Sequence, residues 1–338
     1  MKVCVLLPSY ARSEMLQAYA SFDPPRDLSP LAPEWSISTV FLDKATVYSQ
    51  LKTLKRNGFD VFVNLCEGHL EWDVPSIDVI HALEALDLAY TGPTAALYEP
   101  RKISLKRAAM AAGVLSPRFV LANAPVDAER AARRLRFPVF VKPNEGGDSF
   151  GVDNGSLCID AAALTRRLDS ALTEFDALMI EEYVAGREFS VLVAADCADA
   201  ARPRAFRPVE FVFPEGTAFK TYALKNEQYH PAANIEVEDA ALREQLMEAA
   251  RRLFVAYDGV GYCRIDFRMN DDGDIFAIDA NFTCSVFYPE GYYGTADYIL
   301  QKDGFGASNF LRQIVEEGLL RHRRKVETAR ARLDELSA

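Results

Sequence analysis

The spacing of hydrophobic residues follows two periods along this chain, and together they predict an α/β protein. Five elements are predicted in the first hundred residues: strands at 2–7, 59–65 and 89–91, and helices at 46–57 and 74–86. Strands that alternate with helices in this way predict a small parallel sheet. The segment from Pro8 to about Trp35 is rich in proline, so we expect it to be mostly irregular.

The rest of the chain mixes helices and strands in another order. Helices are predicted at 103–112, 160–172, 239–257 and 310–320, and strands at 120–121, 139–141, 179–182, 188–191 and 209–213. We therefore expect an N-terminal unit at 1–96, a central unit at 97–186, a C-terminal unit at 187–321 and a charged helical tail at 322–338.

Two alternating runs between residues 259 and 281 predict a hairpin, because Asp272-Gly273 between them favours a two-residue type I′ turn. With these two residues in the turn, the predicted cross-strand pairs are Met269 with Phe276, Phe267 with Ile278, Ile265 with Ala280, Asp266 with Asp279, and Arg264 with Asn281.

The pair of Asp266 and Asp279 needs compensation, since like charges directly opposite each other weaken a sheet by about 0.2–1 kcal/mol. A divalent cation would supply it, and Mg²⁺ usually takes one or two carboxylates together with phosphate and water oxygens. The alternative is a solvated hairpin face with scattered charges. The hairpin alone leaves both interpretations open.

Composition narrows the classes of function. The chain has 338 residues, of which 49% are hydrophobic and 26% charged, as in ordinary globular proteins. A net charge of −11 argues against a nucleic-acid-binding surface, which needs a basic face. No stretch has the length of a membrane span or the features of a signal peptide. The six cysteines are scattered, so we expect reduced thiols, a cytoplasmic protein and no zinc site.

A glycine-rich loop follows Lys142 at the end of a predicted strand and runs to Val152. Such a loop lets backbone N–H groups approach phosphate oxygens, and the lysine adds positive charge. It lacks the G-K-[ST] of a P-loop, and an ordinary turn is the alternative. Further along, Glu181 and Glu182 end a strand before Gly186, and Glu182 could equally be a solvated loop residue.

The order of these motifs resembles the ATP-grasp superfamily and, within it, D-alanine–D-alanine ligases and their relatives. The matching features are a cation before a helix, V-K-P with a glycine loop, E-E-x-x-x-G-R-E-F, a later lysine, R-x-D-F and D-x-N. The resemblance covers about residues 1–320. It implies an ATP-grasp fold with a Rossmann-like N-terminal domain, a central lid domain and a C-terminal domain. A less characterised branch shares N-L-C-E-G at 64–68 and F-Y-P at 287–289.

The resemblance also implies roles for individual residues. ATP phosphates and adenine would be contacted by Lys102, Lys142, Glu145, Gly146, Gly147, Ser149, Glu181, Glu182 and Tyr183. Glu188 would bind the ribose hydroxyls, and Lys225 would reach the γ-phosphate. Two Mg²⁺ ions, with Mn²⁺ as an alternative, would be held by Asp266, Asp279 and Asn281. Arg264 would stabilise the oxyanion, so that Arg264, Lys225 and Lys142 would form the catalytic set.

Departures from the family pattern fall on the substrate side. Asp279 stands where the ligases usually have glutamate, residues 281–285 replace an N-P-G sequence, and no acidic loop is recognisable around 9–14. Asp148 and Asn226 replace a serine and a tyrosine. These departures predict a substrate other than D-alanine. The candidate substrate residues are Asp148, Asn226, Ser285, His230 and Glu67. Cys284 is either a nucleophile or a small pocket residue, and His69 has no assigned role.

The sequence therefore predicts an ATP-dependent ligase that joins a carboxylate to an amine through an acyl phosphate. The expected partners are small molecules or peptides, without nucleic acid or membrane, and the chain is expected to form a homodimer as related ligases often do. A small-molecule kinase and a non-catalytic nucleotide-binding protein are the alternatives.

Overall fold

The computed structural model describes residues 1–70, 72–147, 151–217, 219 and 233–337, and these form three β-sheets with associated helices. The strands are β1 (Lys2–Pro8), β2 (Ser36–Leu42), β3 (Val61–Asn64), β4 (Phe119–Ala122), β5 (Val139–Pro143), β6 (Leu157–Cys158), β7 (Leu178–Glu182), β8 (Arg187–Ala194), β9 (Arg204–Ala205), β10 (Val209–Phe211), β11 (Asn234–Glu236), β12 (Tyr262–Met269) and β13 (Ile275–Asn281). The α-helices are α1 (Val47–Lys55), α2 (Ile77–Ala85), α3 (Lys102–Ala112), α4 (Asp127–Arg134), α5 (Ala161–Ala171), α6 (Ala240–Ala256), α7 (Thr295–Asp303) and α8 (Gly306–Ser337).

The first sheet is parallel, as the sequence predicts, and has the order β2-β1-β3. No sequence pattern predicts β2, because this edge strand is mostly exposed and lacks a buried hydrophobic run. The strand expected at 89–91 is reduced to a single bridge between Phe62 and Tyr90. The proline-rich segment contains two short 3₁₀ helices, Gln17–Ser21 and Ser29–Leu31, and is otherwise irregular up to β2.

The second sheet is antiparallel with the order β4-β7-β5-β6. Its core contains α4 and α5. Asp160 caps α5 as predicted, since its side chain accepts a hydrogen bond from the Ala163 backbone N–H. Helix α3 precedes this sheet in the chain but packs elsewhere, because Leu105 and Ala109 lie in the core of the third sheet. The boundaries at 96, 186 and 321 stay predictions.

The third sheet has the order β11-β10-β8-β12-β13, and β9 pairs with β8. One face packs against α3 and α6, with Leu246 and Leu253 fully buried there. On the other side, a single core joins buried residues of β8 to residues of the first sheet and to α8, including Leu192, Val63 and Phe310. The first and third sheets therefore share one core.

Helix α8 is continuous from Gly306 to Ser337, so the predicted helix at 310–320 and the predicted tail are one helix. Within the described ranges, no helix is both long and apolar enough to cross a membrane.

The hairpin of β12 and β13 has the predicted register at one end and a different register near the turn. Asp266 pairs with Asp279 as predicted, and so do the neighbouring pairs on that side. Beyond Asp266 the pairing shifts by one residue, so that Phe267 pairs with Ala277 rather than Ile278, and Met269 pairs with Ile275 rather than Phe276.

The prediction of a two-residue turn was wrong. The Gly273 N–H donates to the Asn270 carbonyl at 3.1 Å, and the Asn270 N–H donates to the Asp274 carbonyl at 3.1 Å. The loop therefore has three residues with Gly273 at φ 85°, a turn that leaves one extra residue on β13. That residue is accommodated by a bulge at Ile278.

Candidate active site

Two lysines and a glutamate form a buried ionic cluster between α3 and the second sheet. Glu181, at the end of β7, lies 2.8 Å from Lys142 Nζ on β5 and 2.5 Å from Lys106 Nζ on α3. Burial works to raise the pKa of Glu181, but the two lysines hold it below its usual value. Burial works to lower the pKa of Lys142, but Glu181 and Asp279 outweigh it and the pKa is raised. Lys142 is therefore a fixed positive charge.

The bulge gives Lys142 its second partner. Because Ile278 is left out of the pairing, its carbonyl accepts a hydrogen bond from Lys142 Nζ at 2.9 Å. Ile278 and Asp279 then both line a cavity beside Lys142, whereas Ala277 and Ala280 belong to the hydrophobic core. The predicted register had placed Ile278 in the core, so the sequence missed this contact.

The polar face of the hairpin brings together the three predicted metal ligands. Arg264 makes two parallel bonds to Asp266, each 3.0 Å long. Asp266 also accepts from the Ser190 hydroxyl at 2.6 Å. Asp279 accepts from Lys102 Nζ at 2.7 Å. Cations therefore compensate for the two facing carboxylates.

The amide of Asn281 is held at the end of β13 by its own loop. Its Oδ1 accepts from the Thr283 backbone N–H at 2.9 Å and from the Thr283 hydroxyl at 3.1 Å. Asn281 and Asp279 line the same cavity. The amide is thus held in a fixed orientation, with its oxygen bonded to Thr283.

The donor set at this face fits Mg²⁺. Two carboxylates and an amide supply hard oxygen atoms, the type of ligand that Mg²⁺ prefers. In the described part of the chain, no three His, Cys, Asp or Glu side chains are grouped so that they could hold a metal ion, so protein carboxylates alone would not complete the coordination. Phosphate and water oxygens would have to do so, and this is the usual arrangement for Mg²⁺ beside a phosphorylated ligand.

A further ionic group lies where β8 and β12 run side by side. Arg268 Nε donates to Glu188 at 3.1 Å, and its Nη1 donates to the Tyr183 hydroxyl at 2.6 Å and the Val184 carbonyl at 2.9 Å. Glu182 points its carboxylate at the Arg136 backbone N–H, 3.0 Å away. The resemblance to the family implied Tyr183, Glu188 and Glu182 as site residues, but it did not identify Arg268.

These groups line two adjoining cavities. The first, which we call the Lys142 cavity, is lined by Lys142, Phe140, Glu181, Glu182, Tyr183, Glu188, Arg268 and Ile278, among others. The second, the Glu67 cavity, is lined by Glu67, Tyr10, Asp23, Arg26, Asn281, Ser285 and Tyr288, among others. Lys102, Gly146, Gly147 and Asp279 line both. A ligand in one cavity can therefore reach a ligand in the other across these four residues.

The wall of the Glu67 cavity is a buried hydrogen-bonded network centred on Arg26. Its guanidinium donates to Glu67 at 3.0 Å, Asp23 at 3.3 Å and the Leu65 carbonyl at 3.2 Å. The Tyr288 ring covers it, with the guanidinium carbon 4.6 Å from the ring centroid. Burial, opposed by Arg26 and by the Ser285 hydroxyl, raises the pKa of Glu67 to about 7.

Tyr288 is placed by the turn that precedes α7. The residue before it, Phe287, has φ 66°, and its N–H donates to the Asp297 carboxylate at 2.7 Å. The Tyr288 hydroxyl then donates to Asp23 at 2.6 Å, and the Tyr10 hydroxyl donates to the other Asp23 oxygen at 2.7 Å. The proline-rich segment and the turn before α7, which are far apart in sequence, thus form one wall of the Glu67 cavity.

The sequence missed several residues of the site, and one of them, Lys106, had a usable signal. Lys102 and Lys106 are four residues apart on α3, which puts both on one helix face directed at Glu181 and Asp279. Asp23 and Arg26 lie in the proline-rich segment, where no periodicity marks them.

Some predicted site residues lie elsewhere. Glu145 is largely exposed, lies 2.7 Å from Arg101 and does not line either cavity. Cys284 is buried in the core, and burial raises the pKa of its thiol to about 12, which favours a small packing residue over a nucleophile. Five candidates lie outside the described residues: Asp148, Ser149, Lys225, Asn226 and His230.

Comparison with known proteins identifies the family. The family described as "D-ala D-ala ligase C-terminus" matches residues 114–315. The D-alanine–D-alanine ligase of Lactococcus lactis subsp. cremoris (strain SK11) is 31% identical over 218 residues, which are 61% of this chain and 60% of the relative. The ligase of Bordetella petrii is 29% identical over 205 residues, 59% of this chain and 60% of the relative. The chain thus spans about 60% of the length of these curated relatives.

Solved structures share the fold over nearly the whole chain. The D-alanine–D-alanine ligase from Coxiella burnetii superimposes with a TM-score of 0.71 at 16% identity, over 100% of this chain and 99% of that one. The VanG D-Ala:D-Ser ligase from Enterococcus faecalis gives 0.68 at 15% identity, over 94% and 99% of the two chains. The fold is therefore the mixed α/β ATP-grasp fold that the sequence predicts. With residues 114–315 matched, this chain belongs to the D-alanine–D-alanine ligase family.

Proposed function

We propose that this chain is an ATP-dependent ligase that joins a carboxylate to an amine through an acyl phosphate, releasing ADP and phosphate. The observation that carries the proposal is the junction of the two cavities, where Lys102, Asp279 and the glycine loop line both. A phosphoryl donor in the Lys142 cavity would meet a carboxylate acceptor there. Relatives named D-alanine–D-alanine ligase, and one solved structure described as complexed with ATP, support this assignment.

The fixed cations support the first step. Lys142 and Lys102 present positive charge to the Lys142 cavity, and we place the phosphates beside them, where the transferring phosphoryl group would spread negative charge over its oxygens. Asp266, Asp279 and Asn281 would hold Mg²⁺, two ions in the proposal, and the metal would neutralise further phosphate charge. Lys225, outside the described residues, is proposed to reach the γ-phosphate.

Arg264 is not among the residues that line either cavity, but it is bonded to Asp266, which lines the Lys142 cavity, and we propose it for the second step. It uses two of its five N–H donors on Asp266, and this fork fixes the plane of the guanidinium. A remaining donor would then stabilise the oxyanion that forms when the amine attacks the acyl phosphate. Water must be excluded at this stage, because it would hydrolyse the acyl phosphate. The glycine loop that starts at Gly146 is proposed as the lid.

We further propose that the substrate is an amino acid, peptide or derivative other than D-alanine. The Glu67 cavity supports this, because Tyr10, Tyr19, Trp72 and Tyr288 add large aromatic walls to a network of carboxylates. Carboxylates suit an ammonium group, and aromatic walls suit a side chain or peptide larger than a methyl group.

The formation of a homodimer and the boundaries between the three units also stay proposals.

The test is a trapping assay with ATP, Mg²⁺, hydroxylamine and a panel of D- and L-amino acids and dipeptides. Hydroxamate formation together with ADP release is the expected result, strongest with an acid other than D-alanine. A phosphorylated product that needs no amine would indicate a kinase. Absence of turnover across the panel, with ATP still bound, would indicate a non-catalytic nucleotide-binding protein.

A further inference from the structure

A histidine and a glutamate that the proposed mechanism does not use lie in the wall of the Glu67 cavity. His69 follows Glu67 after β3, and Glu99 precedes α3. His69 Nδ1 and Glu99 Oε1 are 2.7 Å apart, and the two side chains are 11% and 8% exposed. Both line the cavity. A hydrogen bond this short between two buried side chains fixes the imidazole.

Other contacts restrain the ring further. The imidazole and the indole of Trp72 are nearly perpendicular, at 4.3 Å between ring centroids and an interplanar angle of 88°. A methyl group built on Gly147 would lie 3.2 Å from His69 Cε1 and 3.9 Å from Glu99 Oε1. The imidazole therefore lies directly against the glycine loop, beside the residues that both cavities share.

The partner of Nδ1 decides which nitrogen is basic. An ionised carboxylate can only accept hydrogen bonds, so a neutral His69 carries its proton on Nδ1 and keeps the lone pair on Nε2. No described residue donates to Glu99 Oε2, which is sealed from solvent, so this carboxylate depends on the imidazole N–H. No described residue makes a hydrogen bond to His69 Nε2 either. Nε2 thus keeps a lone pair that no described residue shares.

The other acids of the cavity are already engaged. Both oxygens of Glu67 are bonded, one to Arg26 and one to the Ser285 hydroxyl. Both oxygens of Asp23 accept from tyrosine hydroxyls. His69 differs from them in having one nitrogen fixed and the other available. A carboxylate–histidine pair of this kind is the arrangement by which enzymes orient a general base.

We propose that His69, oriented by Glu99, is the general base that deprotonates the substrate amine; this rests on the proposed ligase function. The bound ammonium gives one proton to Nε2, and the lone pair so released forms the C–N bond with the acyl carbon. The bond from that carbon to the phosphate oxygen breaks, and phosphate leaves with its electron pair. The second amine proton leaves with the phosphate, and the imidazolium returns its proton to solvent.

The charged groups around this base come from several elements. They are Glu99 and Lys102 from the segment that enters α3, Glu67 from the loop after β3, Asp23 and Arg26 from the proline-rich segment, and Asp279 from β13. Lys102 is paired with Asp279 and Arg26 with two carboxylates, so among the described residues Glu99 is the charge in direct contact with the ring.

The experiment compares two amines that differ in basicity in the variant His69→Gln. Glutamine keeps a donor for Glu99 but cannot take up a proton. Hydroxylamine is unprotonated at neutral pH and needs no base, whereas D-alanine, D-serine, L-alanine and glycylglycine bring an ammonium group. The expected loss of amide formation is about 10²- to 10⁴-fold, with hydroxamate formation within about threefold of the wild type. The loss should shrink as pH rises, since the amine is then already neutral.

Two further variants and one spectroscopic measurement complete the design. His81→Gln on the exposed face of α2 is the matched control and should change neither product. Glu99→Gln should give a smaller loss than His69→Gln, because Glu99 is a positioning residue. Nitrogen NMR of the labelled imidazole should show the proton of neutral His69 on Nδ1 in the wild type, and a mixture of tautomers in Glu99→Gln.

The outcomes separate this proposal from the proposed function. A wild type that forms neither hydroxamate nor amide overturns the ligase function, and the general base with it. A wild type that is active while His69→Gln loses both products equally shows that His69 shapes the cavity, and this overturns the proposal alone. So does an unchanged rate of amide formation, or an NMR spectrum with the proton on Nε2.

Discussion

The Lys142 cavity and the Glu67 cavity share four residues but are built in different ways. The charges of the first come from regular elements: Lys142 and Glu181 lie on paired strands, and Asp279 lies on a hairpin strand. Those of the second come from segments without regular structure, and Tyr288 bonds to a residue 265 positions away. Strand register therefore holds the proposed nucleotide side, while loops set the proposed substrate side and can diverge without disturbing the first.

Glu181→Gln should have the largest effect and would break the Lys142 cavity. The substitution leaves two buried lysines facing each other without their carboxylate. Loss of one partner from a buried ion pair costs about 3–5 kcal/mol, so the free energy of unfolding should fall by that amount in urea titrations. Nucleotide binding should be lost at temperatures where the variant still folds.

Glu182→Gln is the matched control, because it is the next residue of the same strand. Its partners Arg118 and Arg136 are largely exposed, so its ion pairs should contribute no more than about 1 kcal/mol. Equal destabilisation by the two substitutions would contradict the view that the Lys142–Glu181–Lys106 cluster holds this cavity together.

Asp279→Asn should come next and should act on chemistry more than on folding. Asp279 is about a third exposed, so the fold should tolerate an amide that still accepts from Lys102. Loss of a ligand that neutralises transition-state charge should lower turnover of ATP by about 10²- to 10³-fold. A titration with Mg²⁺ should show a higher metal requirement. Asp272→Asn in the exposed turn of the same hairpin should match the wild type in both measurements.

Periodicity predicted one pair of residues of the Lys142 cavity, and the resemblance to the family supplied others, including Lys142 and Glu181. Alternation along β12 and β13 placed Asp266 opposite Asp279, and the structure has that pair. The error arose at the turn, where Asp271-Asp272-Gly273 allows two loop lengths. Local sequence does not decide between them, and the longer loop required the bulge that brings the Ile278 carbonyl to Lys142.

The Glu67 cavity could not be predicted in the same way. Glu67 and Ser285 were candidates through the resemblance, but Asp23 and Arg26 were not. Their segment has no periodicity, and a buried arginine is recognisable only once its distant carboxylate partners are known. An edge strand such as β2 escaped notice for a related reason, since its exposed residues carry little hydrophobic signal.

Glu67→Gln should change the pH dependence of stability. It tests whether the pKa of Glu67 is raised whereas the pKa of Glu181 is lowered. Burial raises the pKa of Glu67 to about 7, whereas an unfolded glutamate titrates near about 4.3. Between these values the folded state binds more protons, so the free energy of unfolding falls as pH rises from about 4.5 to about 7. This contribution should amount to about 1–3 kcal/mol. Urea unfolding across this range should give a flatter profile in the variant.

The depressed pKa of Glu181 provides the internal comparison. A carboxylate of this kind is ionised in the folded state throughout the same range, and its contribution to stability is lost only at lower pH. If Glu67→Gln leaves the slope between about pH 4.5 and about pH 7 unchanged, the raised pKa of Glu67 is contradicted and the two cavities do not differ in this respect.

Ser285→Ala should have the smallest effect. It tests the Glu67 carboxylate at Oε2, the oxygen that Arg26 does not contact. The Ser285 hydroxyl donates to Glu67 Oε2 at 2.5 Å and lowers its pKa, so removal should shift the falling limb of the stability profile to higher pH. The hydrogen bond serves the ionised form, so the loss should be about 1 kcal/mol above pH 7 and smaller below pH 5. Thr283→Val, which removes a hydroxyl bonded to the neutral Asn281 amide, should cost the same at every pH. A pH-independent loss in Ser285→Ala would mean that Glu67 stays ionised across the range, and would place the Glu67 cavity in the same class as the Lys142 cavity.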